Sequence, residues 1–326
     1  MTTLRNALEG RQIGIYLAAV GAAIAVALML PGATALEAGI NPALALMLFV
    51  MFIQVPLREL GQSFARVRFL VALLTANFVA VPLLAVGLIQ LLPASPMLRL
   101  GVLMVLLTPC IDYVVTFAHL GRADANVLLA STPVLLVAQM VLLPVYLTAF
   151  LGEEAAQFVQ VGPFLHAFVW LIAVPLVLAA AVQILSGHNR AGIRIVESLG
   201  LLPVPATALV LFIVIAAVLP QLGPASGEAL HVVPVYVVFA VVAPLLGWGV
   251  GRMFRLDVAN GRALAFSAAT RNSLVVLPLA LAVPGAVPLL PAVVVTQTLV
   301  ELMSELVYVR LMPKLGTSRV VAATSG

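Results

Sequence analysis

Ten runs of about twenty predominantly apolar residues follow one another along the chain, at roughly 13–30, 41–57, 69–92, 98–119, 125–150, 162–185, 199–219, 231–253, 262–283 and 288–312. Each is the length an α-helix needs to cross the hydrocarbon core of a bilayer, and no single water-soluble core can hold ten of them. The breaks between runs carry turn and charge signals, such as Pro31-Gly32, Leu57-Arg58-Glu59, Gly121-Arg122 and Ser186-Gly187-His188. Composition agrees: 63% of the residues are apolar and 9% charged, against about 45–50% and about 25% in soluble domains. The expectation is an all-α membrane protein of ten transmembrane helices, with no soluble domain and a tail over about 315–326.

Several function classes fall away at once. A lone cysteine cannot build a disulfide framework or a multi-thiolate cluster, and four histidines leave little for a metal site, so no metal and no cofactor are expected. No phosphate-binding glycine loop, zinc-protease helix or nucleophile elbow is present, so the chain does not read as an enzyme. The basic balance, a pI near 9.7, has a topological cause. With the N-terminus inside, every Lys and Arg except Arg99 and Arg271 falls in an inner segment, as the positive-inside rule requires. Both termini are then cytoplasmic, the protein is a multi-pass protein of the cell membrane, and no nucleic-acid partner is needed. The first run, 18 residues from Ile13, exceeds the apolar stretch of about 7–15 in a signal peptide and reads as a span.

The chain also repeats itself. PALALMLF from Pro42 matches PATALVLF from Pro205 at six of eight positions, at an offset of 163. Pro82-Leu83-Leu84 with Gly87 recurs as Pro244-Leu245-Leu246 with Gly249, Thr108 recurs as Thr270, and Val145-Tyr146 as Val307-Tyr308, all at an offset of 162. A repeat of that length holds five spans, so the second copy (156–326) enters the membrane upside down relative to the first (1–155). Inverted repeats are the architecture of secondary transporters, whose solute site lies near the midplane between discontinuous helices.

The fourth and ninth spans are partners at this offset, and polar residues interrupt both midway. The fourth reads Leu107-Thr108-Pro109-Cys110-Ile111-Asp112-Tyr113; the ninth reads Ala269-Thr270-Arg271-Asn272-Ser273. Pro109 removes a backbone donor and disfavours helix at Thr108. The ninth span has neither Pro nor Gly at that point, so its break rests on polarity and the repeat. Four ionisable residues lie deep enough to be costly: Asp112, Arg271, Glu301 and Glu305. Arg271 is expected to act as counter-ion to Asp112 or Glu301. Since arginine stays protonated, a carboxylate, Glu301 or Asp112, must be the group that titrates. Glu305 reads either as a second proton station or as an interfacial acid near Arg310. Gln139 stands at the offset of 162 from Glu301 as its neutral counterpart. His119 and His166 read as interfacial, and Ser131, Thr132 and Thr296 as cavity-lining or bonded back to their own helices.

The segment TPCIDYVVTFAHLGRAD, from Thr108 to Asp124, resembles the fourth helix of the arsenite-efflux branch of the bile acid:sodium symporter superfamily. FSAATRN (Phe266 to Asn272) resembles that branch's ninth-helix motif ending in paired asparagines, and TLVELMSELVYV (Thr298 to Val309) its tenth helix with a Val-Glu pair. NFVAVPLL (Asn77 to Leu84) is similar to the superfamily's third helix. The resemblance implies a panel of spans 1, 2, 6 and 7 and a core of spans 3–5 and 8–10 in which the broken spans 4 and 9 cross. It implies that the branch's functional thiol falls at Cys110 and its tenth-helix carboxylate at Glu301, and efflux of arsenite or a related metalloid driven by proton entry; with the polar residues at the two interruptions, the expected solute site is Cys110, Asp112, Arg271, Asn272 and Glu301. Thiolate is a soft ligand suited to trivalent arsenic.

Arg271 stands where the branch has the first of its two asparagines. The sodium-coupled branch carries a glutamate and a Gln-Asn pair in this helix, and the aligned residues here are Ser267 and Arg271-Asn272. That exchange favours protons over sodium as the coupling ion. It also leaves a second reading open: a symporter for a small organic anion, with Arg271 holding the solute's carboxylate. A membrane sensor built on a transporter fold is the third.

Overall fold

A computed structural model describes residues 7–30, 32–55, 66–111, 113–158, 166–186, 190–221, 227 and 230–316. Among them the regular structure is helical: α1 (Gln12–Met29), α2 (Ile40–Gln54), α3 (Val67–Ile89), α4 (Pro96–Leu106), α5 (Tyr113–Leu120), α6 (Ala125–Phe158), α7 (Phe168–Ser186), α8 (Arg190–Leu199), α9 (Pro203–Val218), α10 (Val232–Met253), α11 (Val258–Ala269), α12 (Ser273–Leu281) and α13 (Leu289–Leu311). Eight helices among the described residues are long and apolar enough to cross a membrane. The fourth and ninth expected spans appear as two short-helix pairs, α4 with α5 and α11 with α12. Large aliphatic side chains on the outside, Leu28 on α1, Val141 on α6 and Leu185 on α7 among them, face outward, as lipid contact demands. This is a multi-pass membrane protein.

One helix went unread in the sequence. The expected loop after Ser186 holds α8, in which Val196 and Leu199 pack inward while Arg194 and Glu197 stay exposed. Ten residues are too few to register as a span, and only the alternation of faces betrays it.

The helices pack in two groups. α9 lies against α1 and α2, and α7 against α2; Gln183 of α7 donates to the terminal carbonyls of α2 at Phe52, Ile53 and Val55, 2.9–3.1 Å away. In the other group α10 lies along α11 and α13, α4 against α6 and α13, and α12 against α13. Gly247 lets α10 approach α11 closely, because a Cβ there would sit 2.8 Å from the Leu264 carbonyl oxygen. Arg262 of α11 closes one end of this group, donating to the carbonyls of Pro313, Leu315 and Arg122. A cation at the carbonyl end of α13 complements its dipole.

Two hydrogen bonds explain some of the matched residues of the sequence. Pro82 has no N–H for the carbonyl of Phe78, four residues back, and the Tyr146 hydroxyl donates to that carbonyl instead. Pro244 leaves the carbonyl of Ala240 open in the same way, and the Tyr308 hydroxyl donates to it. Each proline and its tyrosine recur together at an offset of 162.

Candidate functional site

The site grows out of the two interruptions. After Leu106 the chain leaves the helix: the Thr108 N–H reaches back to Val105 O at 3.2 Å, and its hydroxyl donates to Met104 O and Val105 O at 3.1 and 3.0 Å. Extended backbone in the middle of a membrane protein needs partners, since no bulk water supplies them. Here the two interruptions supply each other. Cys110 N donates to Thr270 O at 3.0 Å and Asn272 N to Thr108 O at 2.8 Å, an antiparallel bridge that sets Pro109 opposite Arg271.

Side chains hold the second interruption open. An uninterrupted α11 would spend the Arg271 N–H on the Ser267 carbonyl; that N–H donates instead to Glu301 Oε2 at 2.6 Å. The Ser267 carbonyl is taken by Arg271's own guanidinium through Nη2. The same nitrogen reaches Asn77 Oδ1 at 2.8 Å, Nη1 reaches Leu106 O at 3.3 Å, and the cation lies 5.7 Å from the ring centre of Phe239. Arg271 is 0% exposed. Leu106 ends α4 and Ser267 lies in the last turn of α11, so the guanidinium sits on the carbonyl ends of two half-helices. Unsatisfied carbonyls and negative dipole ends meet there.

Glu301 is the expected charge acting on Arg271, and the correction lies in the hydrogen bonding. Glu301 receives Arg271's backbone amide, while the guanidinium goes to carbonyls and to Asn77. Asp112, the other expected partner, lies outside the described residues. Glu301 is buried on α13 and also accepts from Gln297 Nε2 at 2.6 Å and from the Tyr113 hydroxyl; Gln297 in turn accepts from the Ser273 hydroxyl. Glu305 is a second correction. It is no interfacial acid: it is 0% exposed, its Oε1 accepts from the Thr270 hydroxyl at 2.7 Å, and Oε2 is buried without a partner. Hydropathy along a run cannot tell that this face of α13 meets α11 rather than headgroups.

Of the other expected residues, Cys110 is buried, a reduced thiol beside the bridge. Asn272 is buried with its Nδ2 unpartnered. Ser131, Thr132 and Thr296 bond back to their own helices, at 2.7–2.8 Å, and His119 and His166 are exposed. Three residues of the site were not assigned a role from sequence. Asn77 sits in a π-helical turn of α3 (Ala76–Ala80) and donates to Ser267 Oγ at 3.0 Å and to its own helix at Leu73 O, 3.1 Å. Ser267 and Tyr113 are the other two. Their one signal was polarity at mid-span.

Tyr113 also reaches open space. A cleft lies where α1 begins and α2 ends, and its polar lining includes Glu9, Gln12, Gln54, Tyr113, Thr116 and Thr207. Gln12 is 3% exposed with Nε2 unpartnered. The Tyr113 hydroxyl, bonded to Glu301 and 3.2 Å from Arg271 O, forms the contact between this cleft and the buried carboxylate.

Broken helices bridged around buried charge are typical of solute carriers, and the comparison with known families agrees. The model of the sodium bile acid symporter family matches residues 41–223, more than half of the chain. The chain belongs to the sodium bile acid symporter family. A comparison with curated proteins returns no match. As a member of this family the protein is a membrane transporter. The matched region runs from α2 through α9 and carries Asn77, Cys110 and Tyr113, while Arg271 and Glu301 lie beyond it.

Proposed function

We propose that this transporter exports arsenite, or a related metalloid oxyacid, in exchange for protons, with spans crossing the membrane ten times as two inverted five-helix repeats. The observation that carries this reading is that one short bridge joins the thiol-bearing segment to the carboxylate: Cys110 N is bonded to Thr270 O and Arg271 N to Glu301 Oε2. The paired Pro–Tyr bonds and the reciprocal bridge support the repeats, and the two packing groups support a panel (α1, α2, α7, α9) working against a core. Together with the Lys and Arg count, the cleft's place at the start of α1 supports a cytoplasmic opening.

In this reading Arg271 is a fixed positive charge on the carbonyls of Leu106 and Ser267, and a second, mobile cation there would be repelled. That leaves Glu301 as the group that cycles. Solute enters the cleft from the cytoplasm and engages Cys110, and Glu301 gives up its proton toward the cleft by way of Tyr113. After the core shifts, the solute leaves on the far side and Glu301 takes a proton from there. A single soft ligand binds weakly enough to release its cargo. The organic-anion reading is less well supported, because the Arg271 guanidinium already serves two carbonyls and Asn77.

The test is arsenite accumulation in a bacterium lacking its own efflux pumps. Wild type should lower accumulation well below the empty vector, and Cys110→Ser should restore it. Equal accumulation in wild type and empty vector would remove the arsenite reading.

A further inference from the structure

Glu301 and Glu305 stand one turn apart on α13, both buried, in unlike surroundings. Glu301 has three donors: the Arg271 amide, Gln297 Nε2 and the Tyr113 hydroxyl. Donors in that number hold a carboxylate in its charged form. Glu305 has the Thr270 hydroxyl beside Oε1, and its Oε2 is buried with no partner among the described residues. A hydroxyl owns a single proton. The Thr270 oxygen stands 2.7 Å from Glu305 Oε1 and 2.8 Å from the Phe266 carbonyl oxygen. If the hydroxyl serves an ionised Glu305, that carboxylate has one donor, and the Phe266 carbonyl keeps only the Thr270 amide, at 3.0 Å. If Glu305 carries a proton, its O–H gives to Thr270 Oγ1, the hydroxyl gives to Phe266 O, and both contacts are hydrogen bonds at once.

The charges around the pair point the same way. Like charges one turn apart on a helix repel, and two acids so close in a dry interior titrate as one unit that readily holds a single charge. The guanidinium of Arg271 is spent on carbonyls and Asn77, and that of Arg262 on the carbonyls of Pro313, Leu315 and Arg122. On α13 the Tyr308 hydroxyl is bonded to Ala240 O, and Tyr236 of α10 is buried. Of the other helices packed on α13, α9 and α12 carry no ionisable residue, α4 carries Arg99 at its opposite end, and α5 brings Tyr113, bonded to Glu301, and an exposed His119. We infer that Glu305 is a positioning acid for the proton step: it holds a proton in this structure as donor to Thr270, and by staying neutral it lets Glu301 carry the charge. An ionised Glu305 would hold the proton of Glu301 in place by repulsion, so the proton on the one acid licenses release from the other. The protonation of Glu305 rests on hydrogen-bond geometry alone; its part in the cycle rests on the proposed function.

Full-length protein with carboxyl-labelled glutamate, in nanodiscs at neutral pH, tests the assignment by solid-state NMR, because a carboxyl carbon resonates at different positions when protonated and when ionised. Glu305→Gln, whose amide N–H stands in for the O–H of the acid, should remove a protonated signal. Removal of an ionised signal would overturn the inference, and so would a wild-type spectrum with no protonated glutamate, which needs no variant to fold. The second reading is the pH profile of arsenite efflux from everted vesicles. Wild-type efflux should fall where the Glu305 resonance moves to its ionised position, keeping about a tenth of its rate one pH unit above that point, and Glu305→Gln should show no such fall. Profiles that superimpose would overturn the positioning role. Glu197→Gln, on the exposed face of α8, should leave both the Glu305 resonance and the profile unchanged. A protonated Glu305 in a protein that moves no arsenite would sink the proposed function and leave the protonation standing.

Discussion

The two helix interruptions meet in one bridge, yet they exist for different reasons. The break between α4 and α5 is written into the covalent chain, because Pro109 has no N–H and restricts Thr108. The break between α11 and α12 contains no such residue. It is held by Glu301 taking the Arg271 amide and by the Arg271 side chain occupying the carbonyl thereby released. A break imposed by proline is fixed, whereas one imposed by a carboxylate depends on what that carboxylate is bonded to. In the proposed cycle the ninth-span interruption is therefore the one that responds to a proton, and the fourth-span interruption stays fixed against it.

The comparison can be broken most severely at Arg271. Replacing it with Leu leaves the carbonyls of Leu106 and Ser267 and the Asn77 oxygen unpartnered, at a cost of at least about 3 kcal/mol by analogy with uncovering buried ionic partners. Thermal unfolding in detergent should show a lowering of the midpoint by many degrees, and a stability equal to wild type would refute the clamp.

Next in size comes Glu301→Gln. It retains an acceptor for the Arg271 amide but cannot cycle a proton, so arsenite efflux from everted vesicles should lose its response to an imposed pH gradient while the protein still elutes as folded. Gradient-driven efflux equal to wild type would show that Glu301 does not titrate in the cycle.

A third test separates the two breaks directly. A peptide of residues 262–283 in micelles, deprived of Glu301, should form one continuous helix by NMR, and a peptide of residues 98–119 should remain interrupted near Pro109. An interrupted 262–283 peptide would mean that the second break is local after all.

Tyr113→Phe probes the link to the cleft. Loss of one hydrogen bond of about 1–1.5 kcal/mol should slow proton-driven efflux by roughly five- to tenfold and leave arsenite affinity unchanged. An unchanged rate would place the proton path elsewhere.

The smallest effect belongs to Thr270→Val, which removes the donor to Glu305. About 1 kcal/mol of stability should be lost, read as a small drop in unfolding midpoint, with transport retained.

How far the sequence carried the reading varied with the physics involved. Pro109 announced its break because proline acts locally, and the ten apolar runs announced helices because crossing a membrane sets a length. The ninth-span break was legible only through Thr108 recurring as Thr270. Arg271 was rightly singled out as costly and Glu301 as a charge acting on it, but the guanidinium's hydrogen-bond partners were not foreseen: a charge pattern suggests a carboxylate, and nothing in it reveals two helix ends converging. Glu305 looked interfacial for a related reason. Its position along the span was visible, its direction around the helix was not. Tyr113 was in plain view one residue from Asp112, and no pattern separated it from an ordinary interfacial aromatic.

By itself the sequence determined that this protein is helical and lies in a membrane, where the chain must turn, which span proline breaks and which residues are too polar for their depth. Each of these follows from short-range chemistry and from the transfer cost of side chains into hydrocarbon. Only the tertiary structure decided that the Arg271 cation serves the carbonyl ends of α4 and α11, that Glu301 holds open a helix thirty residues away, and that Glu305 meets the Thr270 hydroxyl. Those arrangements depend on which helix faces meet across the crossing, and burial in a low-dielectric interior makes every such meeting count.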